Sequence, residues 1–334
     1  MPFPRVTVAV PTLALDGALV QCLRSLESQT VADFEVVVID NSGSGRAHVS
    51  GARLRVIANA KNVGFGAAVN QAIRASQSPF IAVLNDDAIA RPQWLEALLA
   101  EAEAHPEAGM FASQVRIADS GKLDSAGMLI AADGSSKQRG HGEEAATTAV
   151  DAETVFPSGS AALYRRALLD KVGAFDESFF LYCEDVDLGL RARWAGWECR
   201  YVREAVVEHG YSHSAGRASA LKAYYVERNR LFTVIKNFPA RMLWLAPLAA
   251  VLRYFWHVVS IFAGQGKAAE FRGQGQSSLL LPWLVLRAHL AALWNLPTLL
   301  RRRREIFRSR SISPAEFARL LLRHAISVRK VAAL

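Results

Sequence analysis

A short apolar segment that ends in two adjacent carboxylates constrains this chain most. Residues 80–84 (Phe-Ile-Ala-Val-Leu) form an unbroken apolar run, which predicts a strand of a parallel sheet covered on both faces. Asp86 and Asp87 follow almost at once. Residues 91–99, with Pro92 near their start, then predict a helix. In open α/β sheets, ligands bind beyond the carboxyl ends of the strands, so both Asp side chains fall where a site is expected.

Two interpretations of this acidic pair are open. Adjacent carboxylates repel each other unless a cation or a donor-rich ligand lies between them. Their hard oxygen atoms suit Mg²⁺ or Mn²⁺, and Mg²⁺ commonly takes one or two carboxylates together with substrate phosphates. The alternative is a turn that caps the next helix, with both side chains solvated.

Strands and helices alternate over the first hundred residues. Apolar and β-branched runs predict strands at residues 5–10, 35–40 and 54–58. Apolar residues at helical spacing predict one helix at 17–29, and a second helix is predicted to begin within 62–70. This alternation is typical of βαβ units, and it predicts an α/β fold with a mostly parallel sheet of the nucleotide-binding kind.

Less regular structure is predicted after residue 118. Residues 118–152 are rich in Gly, Ser, Asp and Ala and are interpreted as a surface hairpin or a long loop. A short helix is predicted from Arg165. A longer helix is predicted at about 184–194, where Gly196 stops it. The strands predicted in this region are 155–164, 200–203 and 205–209.

The composition changes near residue 237, which divides the chain into two predicted domains, 1–236 and 237–334. Residues 231–334 contain 16 Lys and Arg against 3 Asp and Glu, which favours an anionic partner for this segment. Near the N-terminus, the apolar residues 6–11 are too few for a signal-peptide core or a membrane span. The three cysteines show no C-x-x-C spacing and leave one unpaired, which favours a reducing compartment and no structural zinc site.

The basic segment is also apolar, and two interpretations of it remain open. No charge-free run in it exceeds 14 residues, whereas an ordinary span needs roughly 18. A span at 242–263 would place Arg253 inside the membrane at about 2.5–3.5 kcal/mol, and Pro247 would kink it. Four tryptophans among apolar residues and the basic run 301–304 favour interfacial helices on an anionic membrane surface. The alternative is a buried helical subdomain with a basic outer face.

Acidic residues and one histidine recur at the predicted ends of strands and helices. Asp40 ends the second strand, Asp185 begins a helix next to Glu184, and His209 ends the last strand. Each has an ordinary explanation, since Asp40 suits a turn, Asp185 suits a helix N-cap and a lone histidine is commonly a core residue. Their joint order along a βαβ chain, together with the acidic pair after the fourth strand, is much harder to explain as coincidence.

These motifs resemble those of the inverting family 2 glycosyltransferases, which have the GT-A fold, and within that family the rhamnosyltransferase-like branch. The resemblance implies a GT-A domain, that is, a Rossmann-like sheet flanked by helices. The matching stretches are Val10-Pro-Thr12, Val36-Val-Val-Ile-Asp-Asn41, Asn62-Val-Gly-Phe-Gly-Ala-Ala-Val-Asn70, Leu84-Asn-Asp-Asp-Ala88, Gly173-Ala-Phe-Asp-Glu177, Phe180-Leu-Tyr-Cys-Glu-Asp-Val-Asp-Leu-Gly-Leu-Arg191 and Ala195-Gly-Trp197.

The resemblance also implies roles for single residues. Asp185 is expected to be the catalytic base, and Asp87 and His209 are expected to hold Mg²⁺ or Mn²⁺. Glu184 and Trp197 are expected on the acceptor side. The residues expected to bind the nucleotide-sugar donor are Pro11, Thr12, Asp40, Asn62, Gly64, Asn70 and Asp86.

The chemistry of sugar transfer agrees with those roles. An inverting displacement needs one carboxylate to take the proton of the acceptor hydroxyl. A metal ion neutralises the charge that develops on the leaving diphosphate, so no second carboxylic acid is required. Asp185, at a helix N-terminus, is expected to stay ionised, as a base must.

Three family features are absent from this chain. The family usually has Tyr-Asn after Pro-Thr, where this chain has Leu13-Ala14, and the loop at 41–46 lacks the usual acid. Both differences concern the donor's base and ribose rather than the metal. The Gln-x-x-Arg-Trp signature of processive synthases is also missing, which favours one sugar added per encounter.

The sequence thus predicts a metal-dependent inverting glycosyltransferase, peripheral at the cytoplasmic face of the plasma membrane. The resemblance implies dTDP-rhamnose as donor and a cell-envelope glycan or polyprenyl-diphosphate-linked acceptor, with no nucleic acid partner. Two alternatives stay open. One is a non-catalytic scaffold that binds membrane or nucleic acid. The other is a nucleotidyltransferase, which would carry a Gly-rich, Arg-containing loop in place of residues 11–16.

Overall fold

The structure, a computed structural model, describes residues 3–14, 17–210, 219–262 and 280–334. These residues form two compact units that are interleaved along the chain. The first unit comprises the described residues of 1–128, 138–180 and 197–214, and the second unit those of 129–137, 181–196 and 215–334. The division into domains 1–236 and 237–334 stays a prediction.

A mixed β-sheet flanked by helices forms the first unit. In chain order, the described strands are β1 (Val6–Thr12), β2 (Phe34–Asp40), β3 (Leu54–Ala58), β4 (Phe80–Leu84), β5 (Ala88–Ala90), β6 (Ala108–Ile117), β7 (Leu123–Ser125), β8 (Met128–Ile130), β9 (Ser136–Gln138), β10 (Ala161–Arg165) and β11 (Glu198–His209). The sheet has the order β3-β2-β1-β4-β10-β6-β11-β5 with β7 beside β6, while β8 and β9 pair with each other. This architecture agrees with the predicted α/β class.

Helices occur in both units. The described helices are α1 (Ala18–Glu27), α2 (Phe65–Ala75), α3 (Trp94–Ala104), α4 (Arg166–Val172), α5 (Glu184–Trp194), α6 (Ala220–Asn237), α7 (Ala240–Phe262), α8 (Leu280–Arg308), α9 (Pro314–Arg323) and α10 (Val328–Ala333). The first four belong to the first unit and the others to the second.

Four strands of the sheet end along one edge. β1 is parallel to both β2 and β4. β10 runs antiparallel to both β4 and β6, so β6 points the same way as β4, and β11 is parallel to β6. The carboxyl ends of β1, β2, β4 and β11 therefore lie along one edge of the sheet, where α/β folds bind their ligands.

Apolar stripes on α1 and α3 pack into the same core as the strands. Leu19, Leu23 and Leu26 recur at helical spacing in α1, and all three are buried. Trp94 and Leu98 do the same in α3. They join the core cluster that contains the inner residues of β1, β2 and β4. The predicted helix at 17–29 is thereby confirmed, and α1 occupies its central part.

Two strand predictions in the first unit were wrong in extent. Residues 155–164 were predicted to form one strand, but β10 begins only at Ala161. Pro157 lacks an amide proton for a strand ladder, which disfavours an earlier start. Residues 200–203 and 205–209 were predicted as two strands, yet both lie in β11, whose register with β6 shifts between Val202 and Val206.

Two further predictions need correction. The helix predicted at 91–99 runs instead from Trp94 to Ala104, and residues 88–90 before it form β5, which pairs antiparallel with β11. The segment 118–152 was predicted as a surface hairpin or a long loop, and it does contain β7, which pairs antiparallel with β6, but β7 is fully buried and does not lie at the surface. This second difference matters because it places an acid of β7 inside the sheet.

The second unit is mainly helical and also contains most of the β8–β9 pair. Within it, α6 packs along α8, and α7 packs on α10. Trp194 of α5 stacks on Phe317 of α9 with 3.9 Å between the ring centroids. Asp187 is buried and pairs with Arg191 at 2.9 Å and with Lys236 at 2.8 Å. These contacts hold α5, which carries the predicted base, to the helices of its own unit.

An ionic cluster fastens α7 within the second unit. Arg253, which is 7% exposed, points its guanidinium at Asp133 (Nε to Oδ2, 2.6 Å) and Glu227 (Nη2 to Oε2, 2.7 Å). Arg230 also pairs with Glu227, and the Tyr254 hydroxyl donates a hydrogen bond to the same carboxylate at 2.6 Å. Every charge in this cluster has an opposite partner, which buried charges require.

The opposite face of α7 is apolar and exposed. Ala246, Ala250, Arg253 and Ser260 line its buried face at helical spacing. The exposed face carries Trp244, Leu245, Leu248, Val251, Leu252, Phe255, Val258, Val259 and Phe262. Judged by length and hydropathy only, α7 is the one helix in the described part of the chain that could cross a membrane. Part of the predicted interfacial region, residues 263–279, lies outside the described residues.

Candidate active site

Thr12 and Asp86 meet at the edge where β1 and β4 end. Thr12 is the last residue of β1, and Asp86 follows β4 by two positions. The Thr12 hydroxyl donates a hydrogen bond to Asp86 Oδ2 at 2.5 Å, and its oxygen accepts the Ala14 amide at 2.8 Å. Pro11 lies buried beside Thr12 in β1. Three of the residues predicted to bind the donor therefore lie together.

His209 connects Asp87 to a second, buried carboxylate. Its Nε2 lies 3.1 Å from Asp87 Oδ1. Its Nδ1 lies 3.3 Å from Oδ2 of Asp124, a β7 residue that is 4% exposed. The other oxygen of Asp124, Oδ1, lies 3.1 Å from Nδ1 of His141. The four side chains form a row, Asp87–His209–Asp124–His141, within the first unit.

This row changes the pKa of two of its members. Burial opposes the charged form of His209, but hydrogen bonds with Asp124 and Asp87 outweigh burial and raise the pKa of His209 to about 10. Burial likewise opposes the charged form of Asp124, but hydrogen bonds with His141 and His209 lower its pKa to about 2. With no metal ion bound, His209 is therefore a cation between two carboxylates at neutral pH, and a metal ion on Nε2 would take the place of the proton there.

Asp87 and His209 fit a metal site that substrate would complete. Among the described residues, no three His, Cys, Asp or Glu side chains are grouped so that they could hold a metal ion by themselves. Asp87 Oδ1 and His209 Nε2 supply two adjacent ligands, and ions that bind nucleotides commonly take their other ligands from phosphate oxygens and water. The carboxylate on Nδ1 is the kind of group that usually orients a metal-binding histidine. The donor set therefore fits a divalent cation bound jointly with a diphosphate.

Asp40 lies in the same edge and organises the turn after β2. It is opposite Thr12 in the β1–β2 register. Its carboxylate accepts the amides of Ser42 at 2.8 Å and Ala47 at 2.9 Å. Burial opposes ionisation, but these hydrogen bonds prevail and lower the pKa of Asp40. Its expected contact with a nucleobase stays a prediction.

The other three predicted donor-binding residues shape the loop before α2. Asn62 accepts the Gly64 amide through Oδ1 at 2.8 Å. Gly64 has a φ of +88°, which favours glycine. Asn70, buried in α2, donates to the Phe175 carbonyl at 2.8 Å and accepts the Phe175 amide at 3.0 Å. These contacts are architectural, and donor binding by the three residues stays a prediction.

The predicted base lies at the start of α5, in the second unit. Cys183, in the left-handed region with a φ of +65°, precedes the helix, and Glu184 and Asp185 are in its first turn. Asp185 is half-buried, and its Oδ1 accepts the Val186 amide at 2.8 Å. Glu184 is 6% exposed, and burial followed by the charge of Asp185 raises its pKa to about 8. The two acids differ in environment, as expected for different roles.

Trp197 is not brought to the edge that holds Asp87 and His209. It immediately precedes β11, whose far end is His209. Its ring lies against Gly109 near the start of β6, since a Cβ at Gly109 would come within 3.0 Å of it. The acceptor-side role of Trp197 therefore gains no support from the first unit.

Sequence reasoning missed Asp124 and His141. Both lie in the Gly- and Ser-rich segment that was interpreted as a surface hairpin or long loop, and nothing in its local pattern marks a site. Sequence reasoning also gave no role to Asn85, whose Nδ2 lies 3.3 Å from Nε2 of His209. The apolar Leu123 directly before Asp124 is the one local sign of burial.

Similar proteins point to one family. The sequence profile of glycosyl transferase family 2 matches residues 7–173, which is half of the chain and includes Asp40, Asp86 and Asp87. The N-acetylglucosaminyl-diphospho-decaprenol L-rhamnosyltransferase of Mycobacterium tuberculosis is 33% identical over 266 residues, which cover 69% of this chain and 83% of that protein.

Solved structures show the fold. The mannosyltransferase PcManGT of Pyrobaculum calidifontis, in complex with GDP-Man and Mn²⁺, is 17% identical with a TM-score of 0.53 over 96% of this chain and 88% of its own. GalNAc-T7 with UDP, GalNAc and Mn²⁺ is 12% identical with a TM-score of 0.53, over 70% of this chain and 51% of its own. The protein is a glycosyltransferase of the GT-A fold and belongs to family 2, in which it is rhamnosyltransferase-like.

Proposed function

We propose that this enzyme transfers one rhamnose, with inversion, from dTDP-rhamnose to a polyprenyl-diphosphate-linked sugar. The observation that carries the proposal is the cluster of Thr12, Asp86, Asp87 and His209 at the carboxyl edge of the sheet. A nucleotide diphosphate is the ligand expected at such an edge when two carboxylates and a histidine line it. The choice of sugar and acceptor is supported by the M. tuberculosis relative, which is named for both.

Asp87 and His209 would hold the metal of this site, and Thr12 would keep Asp86 in place beside them. A divalent cation bound there supplies positive charge that stabilises the leaving diphosphate. An imidazole next to a carboxylate suits Mn²⁺ better than Mg²⁺, which prefers oxygen ligands. Mn²⁺ is therefore the proposed ion.

Asp185 would act as the base. In the proposed displacement, the bond between the anomeric carbon and the diphosphate oxygen breaks while the acceptor oxygen bonds to the opposite face of that carbon. The Asp185 carboxylate receives the acceptor's proton, and the nucleoside diphosphate leaves. Its support is the half-buried position of Asp185 in the first turn of α5, beside a neutral, buried Glu184.

The second unit would bind the cytoplasmic face of an anionic membrane, where a polyprenyl-linked acceptor resides. Like α7, α8 has an exposed apolar stripe, formed by Trp283, Leu286, Leu290, Leu293 and Trp294. Exposed arginines at 301, 302 and 304 end the α8 stripe and complement anionic lipid.

The same unit favours helices lying in the membrane surface over a span. Arg253 lies on the face of α7 opposite the exposed stripe and is paired with Asp133 and Glu227. Crossing a bilayer would separate these charges and place Arg253 in hydrocarbon, which is strongly unfavourable. Immersing the exposed stripe leaves the pairs intact.

Binding of nucleotide sugars tests the donor site directly. Thermal unfolding is measured with dTDP-rhamnose, UDP-GlcNAc and GDP-mannose, each with Mn²⁺ or with chelator. We expect the largest stabilisation from dTDP-rhamnose with Mn²⁺, because a ligand that binds the folded state raises its stability with the logarithm of occupancy. A shift of the same size in chelator would contradict the metal site.

Variants then separate binding from chemistry. Asp87→Asn is expected to remove the Mn²⁺-dependent shift. Asp185→Asn is expected to keep the shift while transfer to a polyprenyl-diphosphate-linked GlcNAc falls at least about a thousandfold. Asp151→Asn, an exposed acid of the first unit, is the control and should behave as wild type. Appreciable turnover by Asp185→Asn would exclude it as the base.

A further inference from the structure

The row of side chains beyond the proposed metal ligands contains one acid that the reaction does not use. That acid is Asp124, whose Oδ2 lies 3.3 Å from Nδ1 of His209. It is 4% exposed, and His209 has only 12% of its side chain exposed. A buried carboxylate aimed at a ring nitrogen calls for a function.

The backbone of β7 directs Asp124 into this position. In the β6–β7 pairing, Ser125 lies opposite Val115 and Leu123 lies opposite Arg116, with a register shift between them. Asp124 is thus the extra residue of a β-bulge, and bulges next to active sites commonly redirect a side chain. β6 also pairs with β11, where His209 lies opposite Ile117. The strand order therefore brings Asp124 to the ring.

A second histidine fixes the carboxylate of Asp124. His141 Nδ1 lies 3.1 Å from Asp124 Oδ1 and 3.2 Å from the Asp124 carbonyl oxygen. Oδ1 of Asp124 therefore contacts His141, and Oδ2 contacts His209. The carboxylate can rotate away from His209 only by giving up its contact with His141.

The chemistry of imidazole indicates what the contact between Asp124 and His209 does. A histidine binds a metal through one ring nitrogen, and the partner of the other nitrogen sets which nitrogen keeps its proton. We propose that Asp124 is a positioning residue that keeps the proton on Nδ1 of His209 and so presents Nε2, next to Asp87, to the metal. This inference rests on the metal site of the proposed function.

A purely structural ion pair between β7 and β11 is the competing explanation. This explanation predicts that mutation of Asp124 lowers the stability of the protein but leaves the binding of Mn²⁺ unchanged. The positioning role and the purely structural role are distinguished by measuring the binding and coordination of Mn²⁺ in the full-length protein, with Mn²⁺ and dTDP as probes. Free Mn²⁺ is quantified by electron paramagnetic resonance, and pulsed measurements detect the ¹⁴N of an imidazole bound to Mn²⁺.

Asp124→Asn is expected to weaken Mn²⁺ binding 10- to 100-fold, the usual effect of removing a partner of a metal-bound histidine. The ¹⁴N signal per bound Mn²⁺ should also fall. Asp151→Asn removes the same charge from an exposed site and should change neither quantity. If Asp124→Asn binds Mn²⁺ within twofold of wild type with an undiminished ¹⁴N signal, the inference is overturned.

Nuclear magnetic resonance of the wild type provides a test that needs no variant. With ¹⁵N-labelled histidine, dTDP and Zn²⁺, a diamagnetic ion that imidazole binds well, we expect His209 to carry its proton on Nδ1 and none on Nε2. A proton on Nε2 would refute the inference even if Asp124→Asn does not fold. Absence of any ¹⁴N signal in wild-type protein that still transfers sugar would also refute it. That result would remove His209 from the proposed metal ligands, while the proposed sugar transfer would stand.

Discussion

Two neighbouring acids at the start of α5 differ in their surroundings. Glu184 is buried, and its Oε2 has no hydrogen-bond partner among the described residues, whereas Asp185 is half-buried and accepts the Val186 amide. Burial, and then the charge of Asp185, raises the pKa of Glu184 to about 8. Glu184 is therefore neutral at pH 7, so the first turn of α5 avoids two adjacent negative charges.

The raised pKa of Glu184 makes stability depend on pH. An unfolded glutamate ionises near pH 4.5, but Glu184 in the folded protein keeps its proton to about pH 8. The folded state binds more protons between these values, so the contribution of Glu184 to the free energy of unfolding falls as pH rises through this window. Glu184→Gln has no such proton and should lose this dependence.

Urea unfolding at pH 5, 6.5 and 8 measures this effect. Relative to wild type, Glu184→Gln should gain on the order of 3 kcal/mol between pH 5 and pH 8, because each pH unit between the two pKa values corresponds to about 1.4 kcal/mol. The exposed Glu143→Gln is the control and should show a constant difference from wild type. A pH-independent difference for Glu184→Gln would show that Glu184 ionises normally in the folded state.

Single residues were predictable from sequence where their neighbours are local. Asp86 and Asp87 could be identified because they follow an apolar strand within three residues. Asp124 could not, since its partner His209 is 85 positions away and the two meet only through the order of the strands. The local sequence of Asp124 is that of a loop.

At the scale of elements, the loop before α2 shows why one glycine is required. Gly64 has a φ of +88°, and a Cβ there would lie 2.3 Å from the Phe180 carbonyl oxygen. That oxygen accepts the Phe65 amide at 2.7 Å, so it cannot move away without losing a hydrogen bond. Both backbone conformation and close approach therefore select glycine.

Replacing Gly64 tests these two causes separately. Gly45 also has a positive φ, +65°, but a Cβ there would meet nothing within 4 Å. Gly45→Ala should cost about 1 kcal/mol, the strain of a left-handed alanine. Gly64→Ala adds the collision with Phe180 and should cost about 3 kcal/mol or more in urea unfolding. Equal losses for the two variants would show that the approach of Phe180 does not constrain the loop.

Strands were predicted correctly where they are continuous apolar runs. They were missed where a segment forms a strand only through its pairing with a distant strand. β4 spans the predicted residues 80–84, because a buried parallel strand is apolar throughout. β5 and β7 were missed, since three-residue strands have no period to detect and exist through pairing with β11 and β6. β11 appeared as two strands because its irregularity interrupts the pattern.

At the scale of the whole molecule, the second unit exposes apolar faces on α7 and α8. Trp244 is 83% exposed and Trp294 is 87% exposed. Contiguous apolar surface of this kind marks an interaction site in soluble proteins. The arginines at 301, 302 and 304, all exposed, support the proposal that anionic lipid is the partner.

Flotation with liposomes tests membrane binding. Wild type should float with vesicles containing anionic lipid, less so at 1 M salt because salt screens the arginines. The triple variant Trp244→Ser, Leu248→Ser and Phe255→Ser should bind at least about a hundredfold more weakly, since each buried apolar side chain contributes about 2 kcal/mol. Leu221→Ser, exposed on α6, is the control. Equal flotation of the triple variant would refute docking through α7.

The sequence by itself determined the α/β class, the family and the acids that follow β4, because these depend on residues close together in the chain. Only the tertiary structure decided that Asp124 stands behind His209 and that Arg253 pairs with Asp133, 120 positions away. The physical reason is the same in both cases. The local sequence around a charged residue is the same whether its side chain is solvated or paired with a buried partner. Which distant residue becomes the partner depends on how the strands and helices pack.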